Sequence, residues 1–198
     1  MTVLVIGATG ELGRATVSAL SAHYDVLGVS RSTDPSVNLT EPETLDALFA
    51  NHDPFEAVVV LSGAVPFAPL AELSREDFQT GFTSKFLGQV EAVQRGVAHV
   101  VDGGSFTLVS GILSDHPVPG SAAASSINSA VNGFVVGAAP QLPRGIRLNA
   151  VSPTVVTESV RYHEAFRGFE QIPAAQVAQW VLRSVAGEQT GQIFRAGW

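Results

Sequence analysis

Six short apolar runs recur along the chain: TVLVIG (2–7), YDVLGV (24–29), EAVVVLS (56–62), SFTLVS (105–110), IRLNAV (146–151) and GQIFRA (191–196). They are rich in β-branched residues and do not alternate with polar ones, the pattern of strands covered on both faces. Stretches of helical spacing separate them, at 11–22, 41–50, 74–101, 122–139 and 173–186. Strands and helices in alternation predict right-handed crossovers onto a parallel sheet with helices on both faces. The segment 152–172 carries neither period, and a connection of that length is expected to be a lid or a disordered loop.

Composition narrows the function. A chain of 198 residues, 45% hydrophobic and 15% charged, fits one globular domain with a sizeable core. The net charge is −7 and there is no basic run, so the clustered cations of a nucleic-acid footprint are missing and a small molecule is the expected partner. With no cysteine, a thiolate metal site, a disulfide framework and a thiol nucleophile are all excluded, and no His, Asp and Glu cluster has metal-ligand spacing. The opening MTVLVIGATG has no basic n-region and too short an apolar run for a membrane span, which predicts a cytoplasmic location and no membrane partner.

The first strand runs directly into GATGELGR, with Gly7, Gly10 and Gly13 at the turn and a helix beginning near Glu11. Such glycines let the backbone approach a pyrophosphate closely, and the free N–H groups of the helix start stabilise its charge. The second strand ends GVSRS, so Ser30 and Arg31 stand where an acid would bind the ribose hydroxyls of NAD. The planar fork of Arg31 suits a 2′-phosphate instead, which points to NADP(H); Arg14 is a candidate helper.

At this point the chain resembles the short-chain dehydrogenase/reductase family over almost its whole length. GATGELG is similar to the family's glycine motif, LSGA (61–64) to its Asn-Ala-Gly stretch, FTLVSG to the strand bearing the catalytic serine, and RLNAVSPTVVT (147–157) to the segment that closes on the nicotinamide. The resemblance implies a doubly wound Rossmann sheet of about seven parallel strands, a short one near Val37 completing the count, in a compact bacterial member of the family. It implies that Gly7, Ala8, Thr9, Gly10, Glu11, Leu12 and Gly13 line the diphosphate and that Asn38 and Leu39 lie near the adenine. Ser62, Gly63 and Ala64 would pass the adenine ribose, while Pro153, Thr154, Val155 and Thr157 would close over the nicotinamide. It also implies a homodimer or homotetramer formed through the helices at 74–101 and 122–139.

The departures concern the chemistry. The family's catalytic set is Asn, Ser, Tyr and Lys; anchoring on VNGF (131–134) puts Ala124 at the tyrosine and Asn128 at the lysine. Ser110 or Gly111 takes the serine position, and Lys85 falls on the asparagine. Asn128 can still hydrogen-bond the ribose. On an uninterrupted helix Phe78, Phe82, Phe86, Val93 and Val97 form one apolar stripe that includes Lys85. An inward lysine reaches a polar cavity and has its pKa lowered by burial, which makes Lys85, with Ser110, the candidate proton donor or oxyanion stabiliser. The alternative is that its stem packs on the stripe and its ammonium snorkels to water. Tyr162 and His163, on the 152–172 segment, are secondary candidates for an acid delivered by a closing lid, and the adjacent Asp115 and His116 read as a surface loop. Two functions stay open: an NADP(H)-dependent carbonyl/alcohol oxidoreductase with a non-standard site, or a redox-neutral NADP-binding protein, isomerase-like or regulatory.

Overall fold

The computed structural model describes residues 2–198. Its sheet is built from β1 (Thr2–Ile6), β2 (Asp25–Val29), β3 (Phe55–Val60), β4 (Val100–Val109), β5 (Arg147–Pro153) and β6 (Ile193–Ala196). The strand order is β2-β1-β3-β4-β5-β6 and every neighbouring pair is parallel. Six strands are present among the described residues, one fewer than predicted. The stretch near Val37 makes only a single bridge, Ser30 to Ser36, because the chain turns there through a tight Ser-Thr loop: the Ser30 amide donates to Thr33 Oγ1 and the Thr33 hydroxyl donates on to the Pro35 carbonyl.

Alternate residues of each strand serve opposite faces. Leu4, Ile6, Val58, Val60, Phe106 and Leu108 face one layer, packed against Leu45 and Phe49 of α2 (Glu43–Ala50) and, from the helices near 90 and 130, Val93 and Val131. Val3, Val5, Ala57 and Val59 face the other, beneath α1 (Glu11–Leu20) and the helix spanning Ala174–Ala186. Complete burial on both sides is why the runs read as unbroken apolar segments.

The predicted helix 74–101 is four pieces. A capping box between Ser74 and Asp77 starts α3 (Arg75–Gly81), a π-helical turn covers Phe82–Leu87, α4 spans Gly88–Gly96, and a 3₁₀ turn follows over Val97–His99. The wide turn rotates the register, so the expected stripe breaks: Phe82 is 42% exposed, while Phe86 packs against Phe134. Downstream, α5 is Ala122–Ala138 and α6 is Ala174–Ala186, and the Pro173-led start of α6 follows the 152–172 connection. That connection is packed rather than loose, with Val155, Val156, Phe166 and Ile172 buried and a bridge pairing Val156 with Ile172. No helix among the described residues is long and apolar enough to cross a membrane.

The strand order reverses between β1 and β3, and open α/β sheets place ligands at the carboxyl ends of strands at such a point. One device holds β4 to that end. Beyond the last pair of β3 and β4, the fully buried Gln89 of α4 takes over as a strand would: its side-chain oxygen accepts from the Val109 amide at 2.8 Å and its Nε2 donates to the Val109 carbonyl at 3.0 Å. Gln89→Leu keeps the bulk but orphans both backbone groups, at about 1–3 kcal/mol each. The variant is expected to unfold in urea with a stability lower by about 2–4 kcal/mol, and a loss below about 1 kcal/mol would show that the amide carries no such role.

Candidate active site

The carboxyl ends of β1, β3, β4 and β5 open into one cleft of about 550 Å³. Its near wall is the start of α1. Gly10 caps that helix in an extended conformation without any side-chain hydrogen bond, so no side chain claims the first-turn amides that border the cleft at Gly10–Gly13. Gly13 admits no larger residue: a Cβ there would lie 2.0 Å from the Gly7 carbonyl oxygen. The turn itself is fixed from behind, since the Gly7 and Ala8 amides both donate to the Val29 carbonyl at the end of β2.

The far wall is built where the π-helical turn meets β4 and α5. Gly63, at φ 132°, crosses so close to this turn that a Cβ would sit 2.6 Å from Lys85 Cα, and the Ala64 amide donates to Ser84 Oγ. Lys85 therefore projects inward and borders the cleft, half-buried. Nζ donates to the Ser110 carbonyl at 3.0 Å and to Asn128 Oδ1 at 2.8 Å. Both partners are neutral. Burial consequently pushes the ammonium down to about 8 from its usual 10.5. The side chain of Ser110, whose carbonyl accepts from Nζ, is buried with its hydroxyl unpartnered, and Asn128, one α5 turn beyond Ala124, is itself buried.

These features fit a nicotinamide dinucleotide. The uncapped helix start suits a diphosphate, the glycine turn leaves room for it, and a residue with an orphaned hydroxyl and a half-buried cation lie farther along the same cleft. Comparison with known proteins agrees. A family model described as enoyl-(acyl carrier protein) reductase matches residues 2–193. The chain belongs to this family of short-chain dehydrogenases/reductases.

A solved Listeria innocua protein is 37% identical, with a TM-score of 0.96 and 98% of each chain covered. A small-chain dehydrogenase solved in complex with NADPH shares the fold at a TM-score of 0.89 and 23% identity, over 99% of this chain and 96% of that one. An oxidoreductase of Methylorubrum extorquens is 35% identical over 129 residues, 64% of this chain. The matched stretch is 51% of that relative, so the chain spans about half the length of the curated protein.

Within this dehydrogenase/reductase fold the predicted residues divide. Gly10, Glu11, Leu12 and Gly13, Gly63 and Ala64, Pro153, Thr154 and Val155 all border the cleft with Lys85, Ser110 and Asn128. Gly7, Ala8 and Thr9 form the turn behind it, and Ser62 packs against Gly7. The proposed adenine end is elsewhere: Arg31 is exposed, the Ser30 hydroxyl is engaged with Ser32, and the Asn38 side chain closes its own turn onto Thr40 and Glu41. Leu39 is buried against Gly88. Thr157 is exposed, outside the cleft, its amide bonded to the Ile172 carbonyl, and Arg14 is committed to the Thr9 carbonyl.

Of the secondary candidates, Tyr162 borders the cleft, with its ring 6.0 Å from that of Phe67. His163 instead turns to the Val156 carbonyl, Asp115 is paired with Arg195 at 3.1 Å, and His116 packs edge-on to Trp198. Phe67, Phe166, Ser159 and Arg161 also border the cleft; they lie in the loop after β3 and in the expected lid, but no sequence signal singled them out. The Ser159 hydroxyl donates to the Glu11 carboxylate and so ties the 152–172 segment to the start of α1, a contact between residues 148 apart that no local pattern announces.

The lysine also has a consequence for stability. Its folded pKa, about 8, lies below the unfolded 10.5, so the unfolded chain binds more protons between those values and stability rises with pH across that window. Measured by urea unfolding, the stability of the parent relative to Lys85→Met is expected to improve as pH rises from about 8 to 10.5 and to be flat below 8. A flat difference over the whole range would mean that the ammonium reaches bulk water.

Proposed function

We propose that the protein is an NADP(H)-dependent reductase of small carbonyl compounds in which Lys85 replaces the usual tyrosine as proton donor. One observation carries this reading: a half-buried lysine held by two neutral acceptors, one of them from Ser110, whose hydroxyl is unpaired, in the cleft that begins at an uncapped helix start. Gly10–Gly13 would hold the diphosphate, Gly63, Ala64, Pro153 and Thr154 would border the dinucleotide, and the exposed Arg31 suits a 2′-phosphate. NADPH supplies the hydride when bound.

The remaining chemistry belongs to the chain. An ammonium has three N–H donors; two are spent on Ser110 and Asn128, and the third is left for a substrate oxygen. The Ser110 hydroxyl donates to the same oxygen, so two preorganised donors meet the charge that develops there. With a pKa of about 8 the lysine is mostly charged at neutral pH yet a far better acid than an ordinary one, close to the range in which general acids work best. Asn128 is the positioning residue that fixes the ammonium. The 152–172 segment, tied to Glu11 through Ser159 and closed by Phe166 and Tyr162, covers the cleft and excludes water. Self-association is supported by apolar side chains exposed on the helical flank, Phe82, Leu87 and Val136.

The test is a carbonyl panel followed by NADPH absorbance. Lys85→Met is expected to lose about 10²–10⁴ in kcat with NADPH affinity within about threefold of the parent, and Ser110→Ala about tenfold. In the parent, turnover falls above about pH 8 as the ammonium deprotonates. Arg31→Gln narrows the preference for NADPH over NADH. Equal turnover by Lys85→Met sinks the mechanism, and tight NADPH binding with no carbonyl consumed would replace it by a redox-neutral role.

A further inference from the structure

The reductase reading leaves the carbonyl compound open, and the half of the cleft away from α1 defines it. We infer that the acceptor is an uncharged ketone bearing a bulky ring, aromatic or alicyclic, next to the carbonyl; this rests on the proposed reduction by Lys85.

Beyond the lysine the lining is apolar. Leu113, Ala124, Val155 and Phe166 form one buried cluster, and the rings of Phe67 and Tyr162 face it from the loop after β3 and from the 152–172 segment, 6.0 Å apart. A planar or saturated ring is the shape such walls accept, because it buries apolar area without stranding a polar group. Size is set at Ala124. It precedes Asn128 by four residues and so shares its face of α5, flanking the Lys85–Asn128 pair. A single methyl there leaves room beside the ammonium for the larger substituent of the ketone.

Charge is excluded by the same account. Three charged side chains border the cleft: Glu11, Lys85 and Arg161. Glu11 stands at the start of α1 and is engaged by Ser159. Arg161 follows two residues later, exposed, and its guanidinium is already engaged 4.7 Å over the face of the Tyr162 ring. Lys85 has one free donor direction, and it serves either a carbonyl oxygen or a carboxylate, not both. A keto acid with its carbonyl on Lys85 would therefore press its carboxylate against Leu113, Val155 or Phe166, with only the ring-engaged Arg161 at hand to pair it.

Acetophenone, 4-acetylbenzoate and 2-butanone separate the possibilities when offered to the NADPH-loaded protein, with binding read by calorimetry and turnover by NADPH absorbance. Acetophenone is expected to bind, and its kcat/KM to exceed that of either other ketone at least tenfold. Ala124→Leu lowers the acetophenone to 2-butanone ratio at least tenfold, and Phe67→Ala, on an open loop, moves that ratio in the same direction. If 4-acetylbenzoate is reduced as well as acetophenone, or if neither variant changes the ratio, the substrate class is wrong while reduction stands. Acetophenone binding without NADPH consumption leaves the ring seat intact and removes the reductase reading. Neither binding nor turnover with any of the three overturns both.

Discussion

Everything distinctive about the site depends on how one helix turn docks against the end of β4. Three contacts fix it within a few residues: the Gln89 amide on the Val109 backbone, the Lys85 ammonium on the Ser110 carbonyl, and the crossing of Gly63 over Lys85. Burying an ammonium costs several kcal/mol, and a hydrogen bond to a charged group returns about 1.5–3. Two such bonds to neutral acceptors keep the charge in place without restoring what water gave it. A carboxylate partner would have locked the proton on. Asn128 in that position holds the nitrogen but leaves its proton available, which is why burial lowers the lysine to about 8.

The α1 end of the cleft is built differently. There the chain contributes almost no side-chain chemistry, only a turn tight enough to expose amides and a helix left uncapped. Its one charged group on the cleft, Glu11, accepts a hydrogen bond from Ser159, and that bond joins the two halves of the site through the segment that lies over both. A change at residue 159 is thus felt at the start of α1, although the two are far apart in sequence.

The difference between those two ends explains what the sequence made legible. Strands buried on both faces write themselves as apolar runs, and a glycine turn has a fixed spacing, so the sheet, its flanking helices and the Gly7–Gly13 turn are all readable. The inward direction of Lys85 was also within reach, but for an incomplete reason: the stripe that pointed to it assumed an unbroken helix, whereas a π-helical turn exposes Phe82 and Gly63 presses the lysine inward from outside. Helical periodicity has no term for a wide turn, nor for a contact made by a loop 22 residues upstream. Gln89 and Ser159 were missed for a related reason. Each acts through a single long-range hydrogen bond, and nothing in LGQV or TESV marks the residue that will make it.

Moving the acid from a neutral phenol to a buried ammonium also changes the electrostatics of the reaction. A neutral acid that gives up its proton leaves an anion in a poorly solvated cleft. Lys85 does the reverse: it begins as a desolvated cation and ends as a neutral amine, so the desolvation penalty that depresses its pKa is relieved as the proton leaves. On the proposed chemistry, proton delivery neutralises the developing alkoxide together with the ammonium, and the positive charge that remains would lie on the oxidised nicotinamide. Oxidation of the alcohol would run the same step backwards, and at neutral pH only the minority of molecules whose Lys85 is a neutral amine could take up the proton. On that reading, the site is poised for reduction below about pH 8, where Lys85 still carries the proton it would deliver.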